Sequence, residues 1–160
     1  MRRLNRTIEE VGWTKDVPRY SATEAVSFAF DAMRRESKDC VLVMGPSATL
    51  VGIFTSRDFL NRVAAPRVDA SAVTLEEVMT PNPRTLAPAD PVAFAINWMA
   101  IEGFRNVPIV QDGAVLGVLT VWDVMRQITD LFDEIDATPR AVTVDSDISD
   151  VTLIDLGGGS

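Results

Sequence analysis

The chain has 160 residues, 47% hydrophobic and 24% charged, with 15 basic against 23 acidic side chains and a formal net charge of −8. That length suits one domain or two small units sharing a core, and the apolar fraction excludes a disordered chain. An acidic protein repels phosphate backbones, which argues against nucleic acid as a partner.

The absences narrow the chemistry further. With no histidine there is no imidazole metal site and no Ser-His-Asp or Cys-His arrangement. The single Cys40 cannot form an internal disulfide and reads as a buried thiol. The basic start, Met1-Arg2-Arg3, leads into Thr7-Ile8-Glu9-Glu10 rather than an apolar run, unlike a signal peptide. No stretch reaches the ~18 consecutive apolar residues that cross a bilayer. The expectation is a cytoplasmic, metal-free, non-membrane protein.

In chain order, Thr7-Ile8-Glu9-Glu10-Val11 comes first, then a short extended segment at Pro18-Arg19-Tyr20. Val26, Ala29, Phe30 and Met33 follow the i, i+3, i+4, i+7 spacing of one buried helical face. Two apolar runs, Cys40 to Met44 and Val51 to Phe54, are joined by Gly45-Pro46-Ser47 and followed by a helix bearing Phe59, Leu60 and Val63. Residues 66–73 read as a linker. Thr74-Leu75-Glu76-Glu77-Val78 then opens a second series, with an extended Arg84-Thr85-Leu86 and a helix carrying Val92, Ala95, Ile96 and Met99. Gly103 stands where that helix should end. The runs 107–110 and 115–119 meet through Asp112-Gly113, a hairpin signal, and a last helix carries Val124, Met125 and Ile128. Residues 136–160 form an acidic extension, with one further strand expected at Ala141 to Val144 and a flexible Gly-Gly-Gly-Ser end.

The second series repeats the first. Residues 7–11 recur at 74–78, an offset of 67. Val26, Phe28, Ala29, Met33, Glu36 and Val41 recur at an offset of 66. Gly52 to Asp58 recurs as Gly117 to Asp123, an offset of 65. The repeated unit is β-α-β-β-α, spanning 7–65 and 74–135. A unit of about 60 residues buries too little surface to stand comfortably alone, so the α/β (α+β) fold expected is two repeats packed sheet to sheet.

Gly-apolar-apolar-Thr-x-x-Asp, at 52–58 and 117–123, carries the chemical signal. One explanation is a helix cap, with Thr55 and Thr120 accepting first-turn N–H groups and the acid favoured at the positive helix end. Aspartate is shorter than the glutamate usual in such a cap, which weakens that account slightly. The other explanation is a nucleoside phosphate site. A cap hydroxyl and unpaired helix N–H groups suit phosphate, a fixed carboxylate accepts from both ribose hydroxyls, and the preceding glycine leaves room for a flat ring.

The duplicated unit, ending each time in this motif, resembles a CBS domain pair (a Bateman module) over about residues 7–135. The resemblance implies a pseudo-twofold axis between repeats and two clefts that bind AMP, ADP or ATP, or less often S-adenosylmethionine. It implies that Asp58 and Asp123 hold ribose hydroxyls and that Thr55 and Thr120 contact ribose or phosphate. The segments Val17 to Ser21 (with Tyr20), Cys40 to Leu42 (with Val41), Thr85 to Ala87, and Val107 to Pro108 would line adenine, partly through backbone groups. Arg57 and Arg105 are candidate phosphate contacts. Their counterparts in the other repeat are Trp122 and Asp39, so the clefts are unequal. Asn106 stands where many relatives have histidine. Trp122 is expected to pack against the partner repeat, and Phe28, Phe94 and Trp98 to face core or a second copy.

The resulting expectation is a regulatory adenine-nucleotide sensor without catalysis or obligatory cofactor, a homodimer acting on an unidentified effector protein. The alternatives are a structural dimerisation module whose Thr-x-x-Asp motifs serve only as caps, and a nucleotide hydrolase. The acidity lies in the tail: residues 130–160 hold eight acids and one base. The remaining 15 acids and 14 bases leave the repeated body nearly neutral, so an anionic nucleotide meets little opposition there.

Overall fold

The computed structural model describes residues 6–136, with side chains through Thr129; the expected strand at 141–144 and the glycine-rich end lie outside the described residues. The first repeat contains α1 (Ile8–Val11), β1 (Arg19–Ser21), α2 (Val26–Glu36), β2 (Cys40–Met44), β3 (Leu50–Thr55) and α3 (Ser56–Phe59). The last of these continues as a wider turn over Leu60–Ala64. The second contains α4 (Leu75–Val78), β4 (Thr80–Pro81), α5 (Val92–Glu102), β5 (Asn106–Gln111), β6 (Ala114–Thr120) and α6 (Val121–Asp136). The Asp112-Gly113 signal holds: both residues take positive φ, +50° and +79°, as a two-residue primed turn requires. Gly103 ends α5 in the left-handed conformation.

One sheet has the order β1-β2-β3-β4, and β5 and β6 form the other. The extended segment expected at 84–86 is reduced to a single parallel bridge, Leu86 to Ile109. The cause is Pro108. In the first repeat the Leu42 N–H donates to the Pro18 carbonyl at 2.9 Å. The residue equivalent to Leu42 is Pro108, which has no N–H to donate, so the strand pairing shortens.

The repeats exchange their leading segments. Thr14 bridges Val118 in the second repeat, and Thr80 of β4 pairs with the equivalent Ile53 in the first. Thr7 bridges Pro91, and the equivalent Thr74 bridges Ala25. The helix starts follow the same reciprocity. α2 has no side-chain cap, and its Val26 N–H instead donates to the Val73 carbonyl at 3.0 Å. For α5, the Val92 N–H donates to the Arg6 carbonyl at 2.9 Å. Each helix therefore has orphan N–H groups satisfied by backbone arriving from the segment that precedes the other repeat.

Three apolar clusters result. Leu75 and Val78 of α4 pack with Val26, Met33, Val41 and Phe54 of the first repeat. Ile8 of α1 packs with Val92, Val107, Ile109 and Leu119 of the second. Between the sheets, Leu42 and Ile53 meet Val115 and Val118, with Val17 and Cys40 alongside, so the sheets pack face to face as expected. The alternation of β2 divides its side chains, Val41 and Val43 toward the helices and Cys40 and Leu42 toward the other sheet.

Several apolar positions differ from the expected helical faces. Ile96 is exposed, and Trp98 packs against the second core instead. Leu60, Met125 and Ile128 are also exposed. Trp122, in the first turn of α6, is 64% exposed rather than packed against the partner repeat.

Candidate functional site

Both Thr-x-x-Asp motifs fold as strand-to-helix caps. Thr55 Oγ1 accepts from the Asp58 N–H at 3.2 Å, while Asp58 Oδ2 accepts from the Thr55 N–H and hydroxyl, each at 2.9 Å. Thr120 Oγ1 accepts from the Asp123 N–H at 3.1 Å, and Asp123 Oδ2 accepts from the Thr120 N–H at 2.8 Å and its hydroxyl at 2.7 Å. Aspartate thus reaches back fully, although it is shorter than the glutamate usual in such a cap. The strand arrives extended, with Thr55 at φ −120° and ψ 166°, which turns its N–H toward the carboxylate one turn inside the helix.

Both carboxylates are buried and meet the segment exchanged from the other repeat. The Thr80 hydroxyl donates to Asp58 Oδ1 at 3.3 Å, and the Thr14 hydroxyl donates to Asp123 Oδ2 at 3.2 Å. Each acid also has an arginine from its own helix. Arg62 lies 3.3 Å from Asp58, and Arg126 pairs with Asp123. Arg62 further donates to the Val78 and Met79 carbonyls at 2.8 and 2.7 Å, tying Asp58 to the crossing segment. At the position equivalent to Arg62, Gln127 donates to the Val11 carbonyl.

The motif glycines serve this crossing rather than a ligand ring. A Cβ on Gly52 would lie 2.2 Å from Met79 Sδ. One on Gly117, at φ +155°, would lie 2.3 Å from the Thr14 carbonyl oxygen. Glycine is required because another backbone passes over the strand.

Two cavities open beside these caps. The first, about 380 Å3, brings together Thr55, Arg57 and Asp58 with Arg105, as the sequence expected, and adds Thr80 and Arg84. The second, about 550 Å3, takes in Thr120 and Trp122 with Thr14, Lys38 and Arg126. Both volumes fall within the ~300–1,000 Å3 range of small-molecule sites. Asp39 and Asn106 border both, so the clefts are neighbours across the repeat junction.

Asp123, buried behind Thr120, lines neither cavity, and nor do Tyr20, Val41, Thr85, Val107 and Pro108. Val41 and Val107 point into the two helix-side cores, Tyr20 packs at the edge of the first, Pro108 is buried and Thr85 is exposed. Of the expected adenine-lining segments, Val17 and Cys40 do line a cavity, the one that holds Thr120. Burial pushes the Cys40 thiol up to about 12, with the Asp39 charge adding to the effect, so it is a wall and not a nucleophile. Thr14, Thr80 and Arg84 were missed. Continuing the repeat alignment past Val11 and Val78 would have paired Thr14 with Thr80. Among the described residues no group of three or more Cys, Asp or Glu side chains is placed to hold a metal.

Comparison with known proteins agrees with this architecture. The CBS domain family model matches residues 75–130. CBS domain-containing protein CBSCBSPB2 of Arabidopsis thaliana is 34% identical over 96 residues, which are 58% of this chain and 18% of that protein. The chain thus spans about a fifth of the curated relatives it first matches. Among solved structures, the CBS-domain containing protein ATU1752 from Agrobacterium tumefaciens has 20% identity and a TM-score of 0.69, covering 78% of this chain and 95% of that one. A hexameric CBS-CP12 protein from bloom-forming cyanobacteria has 22% identity and a TM-score of 0.71, covering 84% and 78%. Residues 75–130 thus match a CBS domain, and the relatives and the solved structures of similar fold are CBS-domain proteins. Among the described residues no helix is long and apolar enough to cross a membrane.

Proposed function

We propose that the chain is a non-catalytic, cytoplasmic regulatory module that binds an adenine nucleotide (AMP, ADP or ATP) in one or both clefts and passes its state to an effector protein. The observation that carries this reading is the convergence on the Asp58 cleft of a cap hydroxyl, a buried carboxylate and a second hydroxyl from the other repeat, while at the second cleft the Thr120 and Thr14 hydroxyls line the cavity and Asp123, bonded to both, does not. A ligand touching all three contacts both repeats at once. Its differential affinity for two arrangements of the repeats is what would bias them. Phe28, Leu60, Phe94 and Met125, apolar and more than half exposed on helices, support pairing with a second copy through the helices. Sedimentation velocity tests that part, with a dimer expected and a monomer at micromolar concentration refuting it.

Thermal shift with AMP, ADP, ATP and S-adenosylmethionine tests the ligand. At ~100 times Kd, stabilisation is ~2.7 kcal/mol, a rise of several degrees at ~2–4 °C per kcal/mol. The absence of a shift with all four would defeat the reading. Loss of the shift in the Asp58→Asn, Asp123→Asn double variant is expected if the carboxylates hold ribose.

A second reading, in which the motifs are caps alone, is favoured by how fully the carboxylates are already engaged. Oδ2 of Asp58 accepts twice from Thr55, while Oδ1 meets Thr80 and Arg62. Under that reading the same variants lower stability and no adenosyl ligand binds.

A further inference from the structure

The repeat counterparts α2 and α5 have the same length, 11 residues, and the same inward contacts. Val26, Ala29 and Met33 enter the first core, and Val92, Ala95 and Met99 enter or border the second. Their outward faces differ. One exposed stripe of α2 reads Phe28-Asp31-Arg35, at the i, i+3, i+7 spacing of a single helical face. The matching stripe of α5 reads Phe94-Asn97-Ile101, and Arg34 is matched by Ala100. Three charges on the outside of α2 thus have uncharged counterparts on α5.

The apolar groups so presented face solvent, Phe94 at 51% exposure and Ile101 at 75%. The helix that shares the second core with α5 shows the same trend. Val63, beyond α3, is buried, whereas its counterpart on α6, Ile128, is 42% exposed. A helix that is apolar on its outer side as well as its inner one needs a second surface to cover it.

Asn97 selects that surface. It is the middle residue of Val92–Glu102 and is exposed. Its amide both donates and accepts, so two such amides facing across a twofold axis satisfy each other, and a twofold contact uses the same patch on both subunits. One polar residue within an apolar seam is also what fixes which surfaces meet. Setting α5 against α2 of another copy would instead press Asp31, Arg34 and Arg35 onto an uncharged face, stripping three ions of water without giving them partners. Against its own image, α2 offers both signs on both sides.

Resting on the helix-mediated pairing proposed above, we infer that a second copy of this chain docks on the outward face of α5, second repeat against second repeat, with the two Asn97 side chains at the axis. The first repeats then meet through α2, charge against charge.

Sedimentation velocity of the full chain tests this, with Asn97→Lys and Asn97→Glu variants run separately and mixed. Each variant alone sets like charges against each other across the axis and should weaken the dimer at least about tenfold. An equimolar mixture sets lysine against glutamate and should recover the parent's dimer at the same total concentration. Lysine and glutamate are better helix formers than asparagine, and the position is exposed, so α5 should survive either change. A dimer tightened by Asn97→Lys alone would mean that α5 faces Asp31 of α2. A dimer indifferent to both variants, or weakened by both and not recovered on mixing, would mean that Asn97 does not face its own copy. Any of these three results would overturn the inference while leaving the pairing of two copies standing. A parent chain that is monomeric at micromolar concentration would overturn both.

Discussion

Replacing Gly117 by alanine should be far more damaging than the same change at its repeat partner, Gly52. At Gly117 the new Cβ meets a backbone oxygen, that of Thr14, at 2.3 Å, and the residue itself sits at φ +155°. Relief requires the crossing segment to lift. That breaks two hydrogen bonds, Thr14 N–H to the Val118 carbonyl and Val118 N–H to the Thr14 carbonyl, both 2.9 Å. Each is worth ~0.5–1.5 kcal/mol, and the backbone conformation adds ~1–3 kcal/mol for a non-glycine residue. The total is on the order of 3 kcal/mol, or a fall in Tm of about 6–12 °C. At Gly52 the obstruction is the end of the flexible Met79 side chain, and the nearest backbone atom is the Thr80 oxygen at 3.2 Å. Repacking there should cost about 1–2 kcal/mol. Urea unfolding followed by tryptophan emission reads both, since Trp13 lies against Gly117. A Gly117→Ala variant no less stable than Gly52→Ala would refute the view that these glycines exist to let a backbone cross.

Three other outcomes are expected. Thr120→Ala should lower stability by about 1 kcal/mol through loss of the α6 cap, and Thr120→Ser should restore it, as measured by urea midpoint. The Thr7 and Thr74 N–H groups hold the Glu10 and Glu77 carboxyls below their ordinary value of 4.5. Folded values below unfolded ones mean that these groups stabilise above pH 4.5 and lose that contribution as pH falls through the lowered values. The Glu10→Gln, Glu77→Gln variant should therefore show a smaller loss of Tm below pH 4.5 than the parent, and an unchanged acid limb would contradict the capping role. Finally, Cys40, with its thiol raised to about 12 by burial, should resist alkylation at pH 8 in the folded protein and react once urea unfolds it. Rapid labelling of the native state, read by mass spectrometry, would contradict the burial.

Much of the fold was legible because the chain states it twice. The 67-, 66- and 65-residue offsets located every main helix and hairpin, and Asp112-Gly113 and Gly103 marked a turn and a helix end by their need for positive φ. The caps at Thr55 and Thr120 were legible for the same reason. What periodicity could not reveal is the partner of a buried face. Ile8 and Leu75 read as apolar positions, but nothing local says that each belongs to the other repeat's core. The motif glycines were misread on that account, because space beside a strand looks the same whether a ring or a backbone fills it. Pro108 carried the reason for the shortened pairing at Leu86, and it becomes informative only when set against Leu42. Arg84 looked like a strand residue until Trp98, Glu102 and Phe104 were seen around it.

The exchange of α1 and α4 sets the smallest piece of this chain that can be self-sufficient. A lone second repeat would have a groove where Ile8 belongs, and its own Leu75 would have no seat within the same molecule. Two such fragments could satisfy each other by trading α4, since Leu75 is the repeat counterpart of Ile8. Cutting the linker should therefore yield halves that recombine, and neither half should show an unfolding transition as a monomer. Folding must close both long-range exchanges before either core is complete, which makes the pair a single cooperative unit despite its two-part sequence.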